Sequence, residues 1–453
     1  MMTRKSFIIV QILFVLCFPV AITAAEPPRV LRSVPADRQM AVDPAMKEVV
    51  VEFDQDMNTG GFSWTAAGPS FPKTSGRPSW RSKRACVLPV ELEPGRAYTL
   101  CINGVGARNF KNAQGEPAEI QPISFRTVGG DAGTAAAAAE QNRMATEELR
   151  EAIANKYSYR DLRGIDWDKQ FAIHRDAMLM ALTPDAFALA AASALEPARD
   201  PHLSLVVGNV TLGTTRREVT PNLNGNLLPR VVPGFKKQSD MLVTGKFDDG
   251  IAYIMITSWQ QRQPQDMAGV MAALREHENA PGIILDVRPN SGGAEPLARQ
   301  VAACFIDKPA VYAKHVTRDA RRESEFTETS ERMIAPSRDG LKIRGRVAVL
   351  MGPINMSSCE AFLLMMKQSP NAKLIGDRSY GSSGNPQPTK LANSVIAFIP
   401  SWQAMSPDGT VLDGKGIEPD IAVKTKQTDF ATADPVLDAA LKWLRNENQV
   451  KGQ

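Results

Sequence analysis

The sequence predicts a multidomain protein with an N-terminal all-β sandwich, then a helical subdomain and an α/β core with a mainly parallel sheet. Between residues 27 and 128, apolar and polar side chains alternate in short runs such as EVVVEF and ACVLPV, which is typical of antiparallel strands. From about residue 242, short apolar runs such as GIILDV and RVAVLM alternate with helical runs. That alternation indicates strands joined by helices, the arrangement of parallel sheets.

Composition places the chain among ordinary globular proteins. Its 453 residues suffice for two or three domains, and 43% are hydrophobic and 23% charged, which excludes disordered and fibrous classes. The formal net charge of +4 is too small to predict nucleic acid as a partner. No glycine-rich phosphate-binding motif follows a predicted strand, so nucleotide binding has no support.

The N-terminus carries an export signal. Arg4 and Lys5 precede an apolar region of about 16 residues, and small residues ending at Ala25 suit cleavage. This region is too short for a good membrane span, although a retained N-terminal anchor is the alternative. We therefore predict an exported protein, periplasmic or extracellular, with no stable membrane insertion after signal removal.

Export would permit disulfides. Cys86 and Cys101 lie on two predicted neighbouring strands and could pair, but spacing alone does not establish the geometry. Cys304 lies in a helical run and is expected to be a buried apolar residue. No cysteine and histidine spacing resembles a zinc site, and neither a metal nor a cofactor is predicted.

The chain divides into consecutive predicted segments. They are a signal peptide at 1–25, a β-sandwich at 26–128, a linker of small residues at 129–142, a helical subdomain at 143–203, a β-rich connection at 204–246 and the α/β core at 247–453. The alanines of the linker could already start the next helix. With the runs PPRVLRSVPADRQMAVDP and VVVEFDQDMN, the sandwich segment resembles the bacterial immunoglobulin-like domains of exported proteins. We expect it to be a spacer or to bind another protein.

Turns after predicted strands could carry chemistry, because ligands of α/β sheets bind beyond the carboxyl ends of the strands. The turn DVRPNSGG ends in Gly292 and Gly293, whose N–H groups could line an oxyanion hole or simply form a tight turn. The later turn SYGSSGNPQ suits either a substrate-binding loop or a plain surface loop. Its central residues are Ser382, Ser383 and Gly384.

Between these turns lies GPINMSSCEAF, with the candidate nucleophiles Ser357, Ser358 and Cys359. At a strand-to-helix turn, the N–H groups and positive dipole end of the helix favour a developing oxyanion. The alternative is a helix cap, because Glu360 follows Ser357 at the spacing of a capping box. The local pattern by itself favours the cap.

A serine nucleophile needs a base, and the histidines are His174, His202, His277 and His315. His174 and His277 lie within helical patterns and His315 in a charged region, so surface positions are expected for them. His202 follows Asp200 and precedes an apolar run at the end of the helical subdomain. A lone histidine is usually structural, and position alone does not select His202.

The motifs GIILDVRPNSGG, INMSSCEAF, LIGDRSYGSSGNPQ and PDGTVLDGKGIEPDI occur here in one order. Over about residues 145–425 the chain thereby resembles the tail-specific, or carboxyl-terminal-processing, serine peptidase family, and the DxH of Asp200 and His202 adds to the likeness. Where the processing peptidases have the lysine of a serine–lysine dyad, this chain has Ser382. It therefore resembles the tricorn-like branch, in which a histidine is the base.

The resemblance implies a serine peptidase that works by acyl transfer on a peptide or protein substrate. It places the nucleophile at Ser357, the base at His202 and the supporting acid at Asp413, with Lys415 and Glu418 as alternatives in another register. It assigns the oxyanion hole to the N–H of Ser358 with that of Gly292 or Gly293, and it turns Cys359 toward the core.

Two other functions stay open at this point. One is a non-catalytic binding protein on the same fold, because relatives of this family bind retinoids and the dyad lysine is absent. The other is a hydrolase of a non-peptide ester or amide, which the same triad would serve. A PDZ domain, common in the family, is not expected, because too few residues separate His202 from the core.

Overall fold

The computed structural model describes residues 26–446, apart from 105, 130–131, 262, 264 and 323–324. The predicted export signal at 1–25 lies outside the described residues. Within the described part of the chain, no helix combines the length and the apolar character needed to cross a membrane.

The N-terminal unit is built from strands alone. Strands β1–β9 lie at Val30–Val34, Gln39–Val42, Glu48–Phe53, Trp64–Thr65, Lys73–Thr74, Ser79–Trp80, Ala85–Glu91, Ala97–Ile102 and Gln121–Thr127. One sheet has the order β1-β3-β7-β5 with β6 beside β7, and the other has the order β2-β9-β8-β4. Alternate side chains of each sheet enter one shared core, such as Val51 and Phe53 from β3 and Leu100 from β8.

The cysteines of this unit are free thiols, so the considered pairing of Cys86 with Cys101 is absent. Cys86, in β7, points into the core between the two sheets. Cys101, in β8, belongs to the other sheet and lines a cavity on its outer side. The two strands are consecutive in sequence but lie in different sheets, which keeps the thiols apart. Burial raises the pKa of Cys86 to about 11.

Helices follow the N-terminal unit. Helices α1–α3 span Ala132–Lys156, Trp167–Leu179 and Pro184–Leu195. Helix α1 takes up most of the segment 129–142, so its alanines start the helix rather than form a linker, because alanine has the highest helix propensity. Asp166 caps α2 and Thr183 caps α3 by accepting backbone N–H groups.

The rest of the chain mixes strands and helices. Strands β10–β23 lie at Ser204–Val207, Val210–Gly213, Lys236–Lys237, Leu242–Lys246, Ala252–Ile256, Gly282–Asp286, Ala310–Thr317, Ser330–Ile334, Arg346–Met351, Ala372–Gly376, Pro386–Lys390, Ile396–Pro400, Trp402–Met405 and Ile421–Ala422. Helices α4–α8 lie at Leu228–Val231, Gln265–Glu276, Glu295–Ala302, Ser358–Met366 and Pro435–Asn446.

A seven-stranded sheet, β12-β13-β14-β15-β18-β19-β23, forms the centre of this region. The pairs β14–β15, β15–β18, β18–β19 and β19–β23 are parallel, whereas β12–β13 and β13–β14 are antiparallel. Side chains of one face pack with α5, α6 and α7, and those of the other face pack with α8. Both faces are therefore buried, which explains the nearly continuous apolar runs of β15 and β18.

The predicted connection at 204–246 is divided between two sheets. Strands β10 and β11 join β20 and β21 in a four-stranded sheet, on which the helices α1–α3 pack. Strands β12 and β13 extend the central sheet instead. A three-stranded sheet, β17-β16-β22, completes the region. The multidomain prediction is confirmed, and the immunoglobulin-like character of the N-terminal unit stays a prediction.

Candidate active site

Ser357 occupies a strained turn between β18 and α7. Its φ of 57° and ψ of −131° are rarely adopted by a residue with a Cβ. Its side chain caps no helix N–H, and it stays half-buried rather than enclosed. The helix-cap interpretation is therefore wrong. A strained strand-to-helix turn that leaves a serine hydroxyl free is the local geometry of nucleophiles in α/β hydrolases.

The carboxylate of Glu360 also does not cap the helix. It is fully buried and accepts hydrogen bonds from the Ser379 hydroxyl at 2.5 Å, the Gly381 N–H at 2.7 Å and the Ser382 N–H at 3.0 Å. Helix α7 thus holds the loop that follows β19. Burial raises the pKa of Glu360 to about 7, while the three hydrogen bonds oppose this rise.

This carboxyl makes the stability of the fold depend on pH. Its pKa is about 7 in the folded chain against 4.5 ordinarily, so its stabilisation is present below pH 4.5 and is lost as the pH rises through 7. We expect Glu360→Gln, which cannot ionise, to reduce this decline in unfolding free energy by up to about 3 kcal/mol. Urea unfolding at several pH values measures the decline. Glu418→Gln, at an exposed position, is the matched control, and an unchanged decline in Glu360→Gln would contradict the expectation.

His202 is placed by the residues immediately before it. Asp200 is buried, and its carboxylate accepts hydrogen bonds from the backbone N–H of His202 at 2.9 Å and from the Tyr157 hydroxyl at 3.0 Å. The imidazole Nδ1 lies 2.9 Å from the Ser382 hydroxyl and 3.6 Å from Asp200 Oδ1. The carbonyl of Ser382 accepts the Ser357 N–H at 2.7 Å. Ser382 therefore contacts both His202 and the turn of Ser357.

Asp413 does not make the predicted contact with His202. Its carboxylate pairs with Arg163 at 2.5 Å, and in the described chain the carboxylate that approaches the imidazole is that of Asp200. Burial and the neighbouring charge of Asp200 raise the pKa of Asp413 to about 6, while Arg163 opposes the rise. The alternatives Lys415 and Glu418 are exposed.

The predicted oxyanion donors differ in their partners. Gly292, at a φ of 113°, lies so close to the turn that an added Cβ would come within 2.9 Å of Ser357 Cβ. Its N–H donates to Asn290 Oδ1 at 2.9 Å, and the Gly293 N–H donates to the Ser358 hydroxyl at 3.2 Å. Ser358 is the first residue of α7, so its N–H has no carbonyl acceptor within the helix.

Sequence reasoning missed Asn355, which ties two of the turns together. Its side-chain oxygen accepts the Gly352 N–H at 2.7 Å, and its amide donates to the carbonyls of Val287 at 2.5 Å and Asn290 at 2.9 Å. The side chain is fully buried. An asparagine in a turn is common, so its sequence position carried no signal.

A cleft of about 430 Å³ opens beside Ser357 and is lined by Pro296, Ser383 and Trp402 among others. Of the predicted substrate-binding loop, Ser383 faces this cleft and Ser382 faces His202. The carbonyl of Gly384 accepts the Ser401 N–H at 2.8 Å and so holds the neighbouring hairpin. Within the described ranges, no cluster of histidine, cysteine or acidic side chains could hold a metal ion.

Comparison with known proteins finds a family match in this region. Residues 250–423 match the model of peptidase family S41. The chain is 25% identical over 202 residues to the carboxy-terminal processing protease CtpB of Bacillus subtilis, which covers 44% of this chain and 39% of that protein. It is 28% identical over 195 residues to the carboxy-terminal processing protease CtpA of the same organism, and the match covers 42% of this chain and 38% of CtpA. The chain thus spans about two fifths of the length of these curated relatives.

Solved structures share the fold. A protein from Parabacteroides merdae has a TM-score of 0.57 at 20% identity, covering 67% of this chain and 96% of that one. Mature CPAF in complex with lactacystin has a TM-score of 0.51 at 10% identity, covering 68% and 99%. At these identities the likeness concerns the fold alone.

Proposed function

We propose that the protein is an exported serine-type peptidase that cleaves peptide bonds by acyl transfer, since residues 250–423 match the model of peptidase family S41. The observation that carries the proposal is the strained turn of Ser357, whose free hydroxyl lies beside a cleft. The loop that places Ser382 against His202 also binds the backbone of this turn.

In the first half of the proposed reaction, the Ser357 hydroxyl attacks the carbonyl carbon of a peptide bond. His202 takes the hydroxyl proton and then gives it to the leaving amine as the C–N bond breaks. In the second half, His202 takes a proton from water, which attacks the acyl ester and releases the second product. That proton returns to Ser357.

The surroundings of the ring support this assignment of His202. Its Nδ1 faces the Ser382 hydroxyl and the Asp200 carboxylate, so an Nδ1–H donates there and Nε2 is left as the proton acceptor. Asp200 stabilises the imidazolium in the place we expected for Asp413. Asp413 adds negative charge to the same region without touching the ring.

The oxyanion is proposed to bind the N–H groups of Ser358 and Gly293. The Ser358 N–H lies at the positive end of α7, which favours negative charge. The Gly293 N–H becomes available when the substrate oxygen replaces the Ser358 hydroxyl as its acceptor. No metal or cofactor takes part. The N-terminal unit, proposed to be immunoglobulin-like, is a spacer or binds another protein.

A second candidate is an inactive binding protein on the same fold. Both glycine N–H groups of the predicted oxyanion hole have side-chain acceptors, which favours this candidate. A hydrolase of a non-peptide ester or amide would use the same groups. The three candidates differ in whether Ser357 reacts and in what the protein cleaves.

A serine-directed fluorophosphonate tests the nucleophile. We expect an adduct at Ser357, located by mass spectrometry, which Ser357→Ala and His202→Ala both abolish. Ser358→Ala is the matched control and should still be labelled, because its backbone N–H remains. No labelling at any pH between about 6 and 9 would support the inactive candidate. An adduct at Ser358 would place the nucleophile one residue later. Hydrolysis of esters but not of an unfolded protein would support the non-peptide hydrolase.

A further inference from the structure

A larger cavity lies where the N-terminal unit meets helices α2 and α3 and strand β11. Its volume is about 720 Å³. It shares no lining residue with the cleft beside Ser357. The proposed peptidase reaction therefore does not account for this cavity.

Two sheet edges border the cavity. Strand β11 is the terminal strand of the sheet β11-β10-β21-β20, and β4 is the terminal strand of β2-β9-β8-β4. Residues of both strands line the cavity, Thr65 from β4 and Thr211 to Gly213 from β11. A terminal strand has unpaired backbone groups along its outer side, which are a template for another chain.

The register of β11 shows which of its backbone groups are unpaired. The Thr214 N–H donates to the Leu203 carbonyl at 3.3 Å, and Leu212 lies opposite Leu205 in the same ladder. Hydrogen-bonded and non-hydrogen-bonded pairs alternate in an antiparallel ladder. The N–H and C=O groups of Thr211 and Gly213 therefore point away from β10. Their separation of about 6.8 Å matches the repeat of an added strand.

One wall of the cavity is apolar. Helix α3 contributes Ala186, Leu189 and Ala190, which share one helix face, α2 contributes Ala177, and Met180 follows the last residue of α2. Most of these side chains are small, so an extended chain beside β11 could lie along the helices without displacing bulky groups. Apolar side chains of such a chain would be removed from water there.

Positive charge exceeds negative charge around the cavity. Arg38, Arg108 and Arg216 line it, against the carboxylates of Asp37 and Glu196. Asp37 already accepts the Ser124 N–H at 2.9 Å. Arg108 is half-buried, and its Nε is enclosed without a hydrogen-bond partner among the described residues.

We propose that this cavity binds an extended peptide segment, which adds as a strand to the outer edge of β11. Its small apolar side chains lie against α3, and an acidic group lies against Arg108. Strand addition supplies affinity through the backbone of Thr211 and Gly213, while the apolar wall and Arg108 supply the sequence preference. The site is separate from the proposed catalytic groups and does not depend on their activity.

Fluorescence polarisation of a labelled peptide tests the proposal. The probe is a hexapeptide of alternating valine and alanine ending in glutamate, and the full chain carries Ser357→Ala so that the probe survives. We expect saturable binding that Thr211→Pro weakens by about tenfold or more, because proline removes the outward N–H yet is tolerated on a strand edge. Thr211→Val keeps that N–H and should bind within about twofold of the parent.

Charge is tested in the same assay. Arg108→Gln should weaken binding of the probe, whereas Arg108→Lys should weaken it less. With a probe that ends in glutamine, the two variants should have equal affinities. Circular dichroism of each variant checks that it is folded.

Several outcomes would overturn the proposal. One is the absence of binding at millimolar probe, and another is equal affinity of Thr211→Pro and Thr211→Val for the probe. A third is equal affinity of the parent for the probe and for its backbone N-methylated form. Laurate that binds the cavity irrespective of Thr211→Pro would indicate an amphiphile site instead. Self-association that Thr211→Pro abolishes would indicate a second copy of the chain. None of these results depends on labelling of Ser357, so this proposal and the peptidase proposal fail separately.

Discussion

We expect Ser357→Ala and His202→Ala each to lower kcat/KM for an unfolded protein substrate by about 1,000-fold or more. The nucleophile is ineffective without a base that removes its proton, and the base acts only together with the nucleophile. The double variant should therefore fall no further than the lower single variant. Initial rates with a labelled, unstructured casein measure all three proteins.

Matched changes separate the catalytic groups from their neighbours. Ser358→Ala should stay within about tenfold of the parent, because the proposed oxyanion donor is its backbone N–H. Asp200→Asn should cost more activity than Asp413→Asn, since Asp200 approaches the imidazole and Asp413 pairs with Arg163. A His202→Ala protein that keeps most of its activity would contradict the proposed base.

Arg288→Met should lower the unfolding free energy by about 3–5 kcal/mol, because it leaves buried carboxylates without their cation. The Arg288 guanidinium is fully buried and pairs with Asp286 at 2.7 Å and Asp434 at 2.9 Å. It also donates to the Asn222 carbonyl at 3.0 Å. Methionine matches the length of the arginine stem and keeps its packing, so the loss reports mainly on the missing guanidinium and its charge.

Chemical denaturation followed by tryptophan fluorescence measures this loss. Arg445→Met is the matched control, because Arg445 forms an exposed pair with Asp249 at 2.7 Å and should contribute no more than about 1 kcal/mol. If the two variants lost similar stability, the buried network would not hold the fold in the way described.

The same network links the proposed active site to the far end of the chain. Asp434 also accepts the N–H groups of Val436 at 3.2 Å and Leu437 at 3.1 Å, at the start of α8. Arg288 itself lies in the turn that leads to Gly292. Helix α8 and the proposed oxyanion turn are therefore held by one set of buried charges, and Arg288→Met should also lower activity.

Much of the architecture could be read from local patterns. The runs GIILDV and RVAVLM predicted buried strands, and the strands β15 and β18 lie there. When both faces of a sheet are buried, the side chains of both faces must be apolar. Composition was less informative where a linker and a helix contain the same residue types. The small residues at 129–142 suggested a linker or the start of a helix, and their alanines belong to α1.

For the site, the order of motifs was informative and local chemistry was not. Locally, Ser357 and Glu360 matched a capping box, yet neither side chain caps the helix. The motifs together selected Ser357 and the loop of Ser382. They did not predict that Ser382 would contact the His202 ring or that Asn355 would join two turns.

The sequence by itself determined the strand and helix order and the turns that end the parallel strands, because apolar periodicity encodes burial along a single element. The tertiary structure alone decided which charged and polar groups meet. Arg163 reaches Asp413 across 250 residues of chain, and Ser382 reaches His202 across 180. Such pairs depend on how the helices pack against the sheets and on which hydrogen-bond partner each buried polar group reaches in the folded chain. A local sequence pattern does not contain that information.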